Sequence, residues 1–265
     1  MNTSKRKRSQ RGFSLLEMII VLSILTIVMA GIFGMMDSAQ KRYAVEDTKL
    51  DLQQESRQFL DQIVRDLHQA GFPNARMYAT TPANGANSAK VAIGLVRVSL
   101  TDIIFEGDVD GNGTVNVVRY QVYPDNGSNC PCTLRRSQEP KTEGAATDDQ
   151  TYSWSSEVQR VLNTSGAGNS PLGITGDTFG TANDTLYADY KQAPLFQFYD
   201  QNGVIVSGIP TTLNTSGSGM DAKMLASIRS IRVTINTLAS AIDVQTRRYP
   251  AVSMTSSARI SNNRL

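Results

Sequence analysis

The stretch Arg11-Gly12-Phe13-Ser14-Leu15-Leu16-Glu17 decides the fold, because it joins a basic leader to a long apolar run. The leader contains no acidic residue and five basic residues, which are Lys5, Arg6, Lys7, Arg8 and Arg11. The run from Phe13 to Met36 contains one charged residue, Glu17. As a helix rising about 1.5 Å per residue, this run would be roughly 36 Å long, which is enough to cross a bilayer.

Glu17 needs an explanation, because a carboxylate inside an apolar segment costs several kcal/mol unless it finds a partner. A secretory signal places its small-residue cleavage site behind the apolar core, whereas Gly12 lies ahead of it. A cut after Gly12 would keep the helix and give Phe13 a free amine that is largely protonated at neutral pH. That amine can pair with Glu17 of the same chain or of a neighbour. The alternative is a plain single-span anchor whose Glu17 side chain extends toward the headgroups.

The junction resembles the class III signal of type IV prepilins and pseudopilins. In that family a prepilin peptidase cuts after the glycine and methylates the new N-terminal phenylalanine. The resemblance implies cleavage between Gly12 and Phe13 and N-methylation of Phe13. It also implies that Glu17 pairs with a neighbouring subunit in a filament and so sets the axial register.

Charge gives the expected orientation. Five basic residues precede the apolar run and few follow it closely, so we expect the leader to stay in the cytoplasm and residues from about 37 onward to lie outside. For the resembled family this means a bacterial inner membrane with the C-terminal domain in the periplasm, and later a place in the pilus or pseudopilus. The chain's charge is +2 and becomes −3 without the leader's five basic residues, which does not indicate a nucleic-acid surface of the basic kind.

The helix is expected to continue beyond the membrane. Residues 37–70 contain neither Pro nor Gly, and apolar residues recur there at helical spacing, as Leu60, Ile63, Leu67 and Ala70 show. Gly71-Phe72-Pro73 then ends the pattern. The sequence therefore predicts one continuous helix, Phe13–Ala70, with an apolar first half and an amphipathic second half that docks on a globular head.

The remainder predicts strands and polar loops. The predicted strands are 91–100, 101–106, 115–123, 195–199, 204–206, 230–237, 242–248 and 251–260, with a helical turn at Ala222–Ser227. Ser/Thr/Gly/Asn-rich loops are predicted at 80–89, 138–153, 163–185 and 207–221. The fold class is α+β, a type IV pilin-like long helix packed on an antiparallel sheet. The expected parts are the cleaved leader 1–12, the membrane or filament-core helix 13–36, its amphipathic continuation 37–72 and the external head 73–265.

Several head segments resemble PilW-like minor pilins and the J-type pseudopilins of type II secretion. They are Phe59–Phe72, an Asp-rich hairpin, Leu225–Thr234 and the C-terminal Ser257–Arg264. The insertion around 138–194 maps onto no family pattern, and its polar part at 138–185 is the natural candidate for partner contact. The resemblance implies a non-enzymatic subunit of a pilus priming or tip complex. Its partners would be prepilin peptidase, minor and major pilins or pseudopilins, the inner-membrane assembly platform and a tip adhesin.

Two other functions are kept open. One is a J-like minor pseudopilin of a type II secretion system, which this sequence separates poorly from a minor pilin. The other is a membrane-anchored, calcium-dependent adhesin that never polymerises. An enzyme has little support, because His68 is the chain's only His and no phosphate-binding loop or paired-carboxylate motif is evident.

The segment from Asp108 to Asn116 is the one candidate metal site. Asp108, Asp110, Asn112 and the carbonyl of Thr114 fall at positions 1, 3, 5 and 7 of an EF-hand-like calcium loop. Position 12, which should supply a bidentate carboxylate, is Arg119, and the following residues predict a strand rather than a helix. The alternative is a tight hairpin turn, in which Asp, Asn and Gly are favoured for local reasons. No cofactor is required, and calcium is the only candidate.

The two cysteines stand two residues apart, in Cys130-Pro131-Cys132. The oxidising exterior permits a disulfide, and a local bridge between them is the favoured arrangement. A bond to another chain or two free thiols remain as alternatives. With two thiols and one His, a four-ligand zinc site is not expected.

Overall fold

The computed structural model describes residues 12–80, 82–126, 129–145, 147, 150–163, 187–210, 221–243 and 246–263. The basic leader and most of the predicted loops 163–185 and 207–221 lie outside the described residues. Within the described part, a long helix packs on a curled antiparallel sheet, as the α+β, type IV pilin-like expectation requires.

The long helix, α1, runs without interruption over Leu15–Gln69, 55 residues. The predicted helix is confirmed to within two residues at each end. Ser14 is the N-cap residue, and Gly71, with φ +80°, follows the C-cap residue Ala70. No residue of α1 before Val45 is buried, and eight residues from there to Leu67 are buried against the head: Val45, Leu52, Ser56, Phe59, Leu60, Ile63, Asp66 and Leu67.

In the described part of the chain the sheet has eight strands, and every pair of neighbouring strands is antiparallel. They are β1 Leu95–Val98, β2 Asp102–Gly107, β3 Asn116–Asn126, β4 Asn129–Pro140, β5 Ser155–Val161, β6 Phe196–Tyr199, β7 Ser230–Leu238 and β8 Ala251–Arg259. Two short helices, α2 (Ala188–Gln192) and α3 (Ala222–Ser227), and two 3-10 turns, Ala75–Met77 and Gly85–Asn87, complete the described elements. The order is β1-β2-β3-β4-β5-β7-β6, and β8 also pairs with β7.

The core lies between α1 and the inner face of the sheet. Phe59 meets Tyr120 of β3 edge-on, with ring centroids 5.6 Å apart, and Phe105 of β2 stacks on Tyr120 with ring centroids 6.4 Å apart. The sheet curls around this core, because the Phe196 amide at the start of β6 donates to the Leu100 carbonyl beyond β1 at 3.1 Å. This hydrogen bond brings β6 close to the end of β1, so that the sheet curls around the buried half of α1.

Several strand predictions need correction. The predicted strand 91–100 is shortened to β1, because the Ala92 amide bonds the Pro73 carbonyl and the Ile93 amide bonds Glu106. The predicted strand 204–206 forms only an isolated bridge to Tyr199. The predicted strand 242–248 is wrong: the described residues form a tight turn in which the Arg247 amide donates to the Asp243 carbonyl at 2.7 Å.

Two strands and one α-helix were not predicted, namely β4, β5 and α2, and neither were the two 3-10 turns. The predicted loop 138–153 is wrong at its start, because residues 138–140 belong to β4 and continue its ladder with β3. The helical turn predicted at Ala222–Ser227 is confirmed as α3, whose N-cap Asp221 accepts a hydrogen bond from the Lys223 amide.

Candidate functional site: the N-terminal junction and its helix

The junction around Gly12 and Phe13 is non-helical and exposed. Residues 12–14 precede α1, and Phe13 is 78% exposed. Among the described residues, nothing comes within 4 Å of the position that a Cβ of Gly12 would take. A peptidase therefore meets an accessible peptide bond directly ahead of a helix that it does not have to unwind.

Glu17 lies in the first turn of α1, on an exposed surface. Helix N-termini carry a partial positive charge, so an acidic residue there is favourably placed. Among the described residues Glu17 forms no ion pair. In a single chain, the carboxylate is therefore available to a cationic group brought by cleavage or by a neighbouring subunit.

The first half of α1 is an apolar cylinder that the head does not cover. Every residue from Phe13 to Met36 is exposed, and the most apolar 18-residue window of the helix has a mean hydropathy of 2.6 and no buried residue. By length and composition, this is the one helix among the described residues that can cross a membrane. An uninterrupted apolar surface of this length needs lipid or other apolar helices around it.

The second half of α1 is fixed to the sheet by a polar cluster as well as by apolar contacts. Asp66 of α1 accepts hydrogen bonds from the Tyr120 hydroxyl at 2.6 Å and from the Arg136 Nε and Nη2 at 3.0 and 2.8 Å. Burial, and then the neighbouring Asp66 carboxylate, raise the pKa of Tyr120 well above its usual range. The Tyr120 hydroxyl therefore stays protonated and continues to donate, which keeps the helix in one register on β3 and β4.

The Asp108–Asn116 segment forms the turn that joins β2 to β3. The Asp108 carboxylate accepts hydrogen bonds from the Asn112 and Gly113 amides at 3.0 and 2.9 Å. Asp110 and Asn112 accept further hydrogen bonds within the turn, and the Thr114 carbonyl accepts one from the Asn116 side chain. The hairpin between β2 and β3 is confirmed, whereas calcium binding by these oxygens stays a prediction.

Arg119, at the twelfth position of that segment, belongs to a different structure. It lies on β3 and makes a two-pronged contact with Asp102 of β2, through Nε at 3.0 Å and Nη2 at 2.5 Å. Among the described residues, no group of three or more His, Cys, Asp and Glu side chains is arranged to hold a metal ion.

The cysteine prediction is supported at one position. Cys132, on β4, is buried and disulfide-bonded. The side chain of Cys130, the chain's other cysteine, lies outside the described residues, so the pairing of Cys130 with Cys132 stays a prediction. Because Cys132 is disulfide-bonded, the alternative of two free thiols is ruled out.

One surface feature was missed by the sequence reasoning. On the outer face of the sheet, the Arg135 guanidinium lies between the rings of Tyr123 and Trp154, 3.8 and 3.9 Å from their centroids. Arg119 lies 5.4 Å from the same Trp154 ring. The alternation of Arg119, Gln121 and Tyr123 along β3 was the available signal, and it places these side chains on one face.

Comparison with known proteins bears on the junction. A family model, the prokaryotic N-terminal methylation motif, matches residues 7–33. The chain carries the prepilin-type signal of type IV pilins. No curated protein and no solved structure matches the chain. The prepilin signal supports a pilin- or pseudopilin-type subunit and implies processing by prepilin peptidase and assembly with other pilins.

Proposed function

We propose that this chain is a PilW-like minor type IV pilin, a structural subunit without enzymatic activity that belongs to a pilus priming or tip complex. The observation that carries the proposal is the prepilin signal followed by one unbroken helix, α1, whose apolar half is uncovered and whose other half is docked on a head. Cleavage after Gly12 would leave the subunit in the inner membrane, and the apolar half of α1 would then draw it into a filament.

The choice of a minor pilin rests on the resemblance of the head segments to PilW-like proteins. Leu225 and the strand that follows α3 lie in the core, and Asn263 bonds the Leu225 and Ile228 carbonyls, so the resembling segments lie together in the fold. A J-like pseudopilin of type II secretion is the nearest alternative. Deleting the gene separates the two: a minor pilin is required for surface pili, and a J-like pseudopilin for release of secreted enzymes.

Glu17→Ala tests the subunit function directly. We expect the variant to be cleaved and to stay in the membrane but to be lost from sheared filaments, because the carboxylate partner of the neighbouring amine is gone. Asp37→Ala is the matched control, since Asp37 is an exposed carboxylate on the same helix beyond the apolar run. Quantitative immunoblots of membrane and filament fractions give the measurement. Normal function with Glu17→Ala would instead favour the anchored adhesin.

A further inference from the structure

The sheet formed by the described residues has three edges, and two of them are covered or blunted. β1 is only four residues long, its register is irregular between Leu95 and Arg97, and the Leu95 amide is bonded to Asn263. β6 is covered by the segment that follows it, because the Val206 amide donates to the Phe198 carbonyl at 2.9 Å. β8 differs, because among the described residues its backbone pairs on the β7 side alone.

The orientation of the β8 backbone follows from its register with β7. The nine pairs run from Ser230–Arg259 to Leu238–Ala251 without irregularity. Two backbone hydrogen bonds continue this register beyond the two ends of the ladder. The Ile260 amide donates to the Arg229 carbonyl, and the Ala239 amide donates to the Pro250 carbonyl. Hydrogen-bonded pairs alternate along an antiparallel ladder. The even-numbered residues of β8 therefore bond β7, and the odd-numbered ones, from Ala251 to Arg259, point their N–H and C=O groups away from it.

The composition of β8 leaves this edge open to another strand. Natural edge strands are usually protected by charged side chains, Pro or a bulge. Residues 251–258 contain no charged residue and no Pro, and the ladder contains no bulge. A regular edge that is uncharged up to Arg259 is a template for an extended peptide, which would add main-chain hydrogen bonds to it.

One face of α1 flanks the open edge. His68 lines a cavity of about 440 Å³ together with Ser257, Ala258 and Arg259 of β8. Gln58, Asp61 and Arg65 occupy the same helix face and line a further cavity of about 490 Å³. The end of β8 at Ser257–Arg259 is therefore bordered by His68 of α1, whose polar face continues through Arg65, Asp61 and Gln58.

The end of β8 near His68 is basic. Arg232 and Arg259 line the cavity with His68, and Arg229 joins Arg259 in an adjoining cavity of about 610 Å³. Among the described residues these three arginines form no ion pair with a carboxylate. Asp200 is the one described acidic residue that lines either cavity. Its carboxylate accepts hydrogen bonds from the backbone amides of Asn202 and Val204 within its own turn. The surplus positive charge fits a carboxylate brought by the partner.

We propose that the β8 edge binds an extended segment of another subunit of the same filament, which adds to the sheet as a strand and places an acidic side chain between Arg232 and Arg259. The identity of the partner rests on the proposed function, but the mode of binding does not. A second copy of this chain fits less well, because pairing β8 with itself in antiparallel fashion would set Arg259 opposite uncharged residues of the partner strand.

The test uses the full mature chain in detergent and overlapping synthetic peptides that cover the other pilin subunits of the same cell. Ser257→Pro removes an outward amide and leaves the ladder with β7 intact, and Ser257→Ala is the matched control that keeps the amide. We expect one peptide with an acidic residue to bind and to slow hydrogen exchange in Ser253–Arg259. Ser257→Pro should weaken that binding about tenfold or more, and Ser257→Ala should leave it unchanged.

Charge reversal gives the second arm of the test. Arg259→Glu should weaken binding of the acidic peptide, and a peptide with Lys at the acidic position should recover binding to this variant. The inference is overturned if no subunit peptide binds, if Ser257→Pro and Ser257→Ala bind alike, or if the protein alone dimerises in a way that Ser257→Pro abolishes. Processing at Phe13 and the effect of Glu17→Ala are measured separately, so the proposed function can stand while this inference falls.

Discussion

At the scale of single residues, the head is held together by a fully buried ion pair. Glu106 of β2 and Lys141, which follows β4, have no exposed side-chain surface, and Lys141 Nζ lies 2.8 Å from Glu106 Oε2. Lys141 also donates to the Val91 carbonyl at 2.9 Å, and Glu106 accepts from the Ile93 amide and the Thr147 hydroxyl. Four separate stretches of chain therefore meet at one pair of charges.

Removing one partner of this pair should cost much more than removing both charges. We expect Lys141→Met to lower the free energy of unfolding by about 3–5 kcal/mol, because it leaves a buried carboxylate without its cation. Adding Glu106→Gln should recover a large part of the loss. Denaturant unfolding of the full chain measures both, with Lys49→Met as the control for an exposed pair worth less than about 1 kcal/mol. Strictly additive losses would show that the two charges are not coupled.

At the scale of elements, the end of α1 is fixed by a close backbone approach. The Gly71 amide donates to the Glu106 carbonyl at 2.8 Å, and Gly71 adopts a φ of +80°. A Cβ at this position would lie 2.4 Å from the carbonyl oxygen of Asn262. The glycine therefore ends the helix and also lets the C-terminal segment cross it.

Gly71→Ala should accordingly be more destabilising than alanine at a glycine that needs only a positive φ. Gly111 is the matched control, because its φ is +69° and nothing lies within 4 Å of its Cβ position. We expect Gly111→Ala to cost about 1–2 kcal/mol from the left-handed backbone alone and Gly71→Ala to cost clearly more. Thermal or denaturant unfolding of the two variants measures the difference. Equal losses would mean that the Asn262 backbone moves aside freely.

The elements also show why the sequence predicts some of this fold and not the rest. α1 was predictable because its apolar spacing continues to a Gly-Phe-Pro stop. β4 was missed because a core-facing position of this strand is Arg136, which Asp66 of α1 neutralises across the core. A charged residue there breaks the apolar alternation that identifies a strand, and its partner is 70 residues away in sequence.

The functional residues also differ in whether the sequence could predict them. Gly12, Phe13 and Glu17 could be assigned from local order and spacing, because the signal is read as a linear segment. The arginine-lined end of β8 could not be assigned, since Arg229, Arg232 and Arg259 come together only through the register of β7 with β8 and the position of His68. Long-range pairing of this kind leaves no local pattern in the sequence.

At the scale of the whole molecule, two surfaces call for different partners. The apolar half of α1 needs lipid before assembly and other apolar helices after it, whereas the head carries an open strand edge with a basic end. One helix, α1, connects the two across 55 residues, so a subunit drawn into a filament core presents its head in a fixed relation to its neighbours. This arrangement suits a pilin- or pseudopilin-type subunit.

The central claim is that the chain is a processed pilin-type subunit, and the mature N-terminus tests it most directly. The measurement is intact and peptide mass spectrometry of the protein purified from cells that contain prepilin peptidase. The account predicts a chain that begins at N-methylated Phe13 and lacks residues 1–12. A chain that retains Met1 to Gly12 in such cells would contradict it, and α1 would then be a simple membrane anchor.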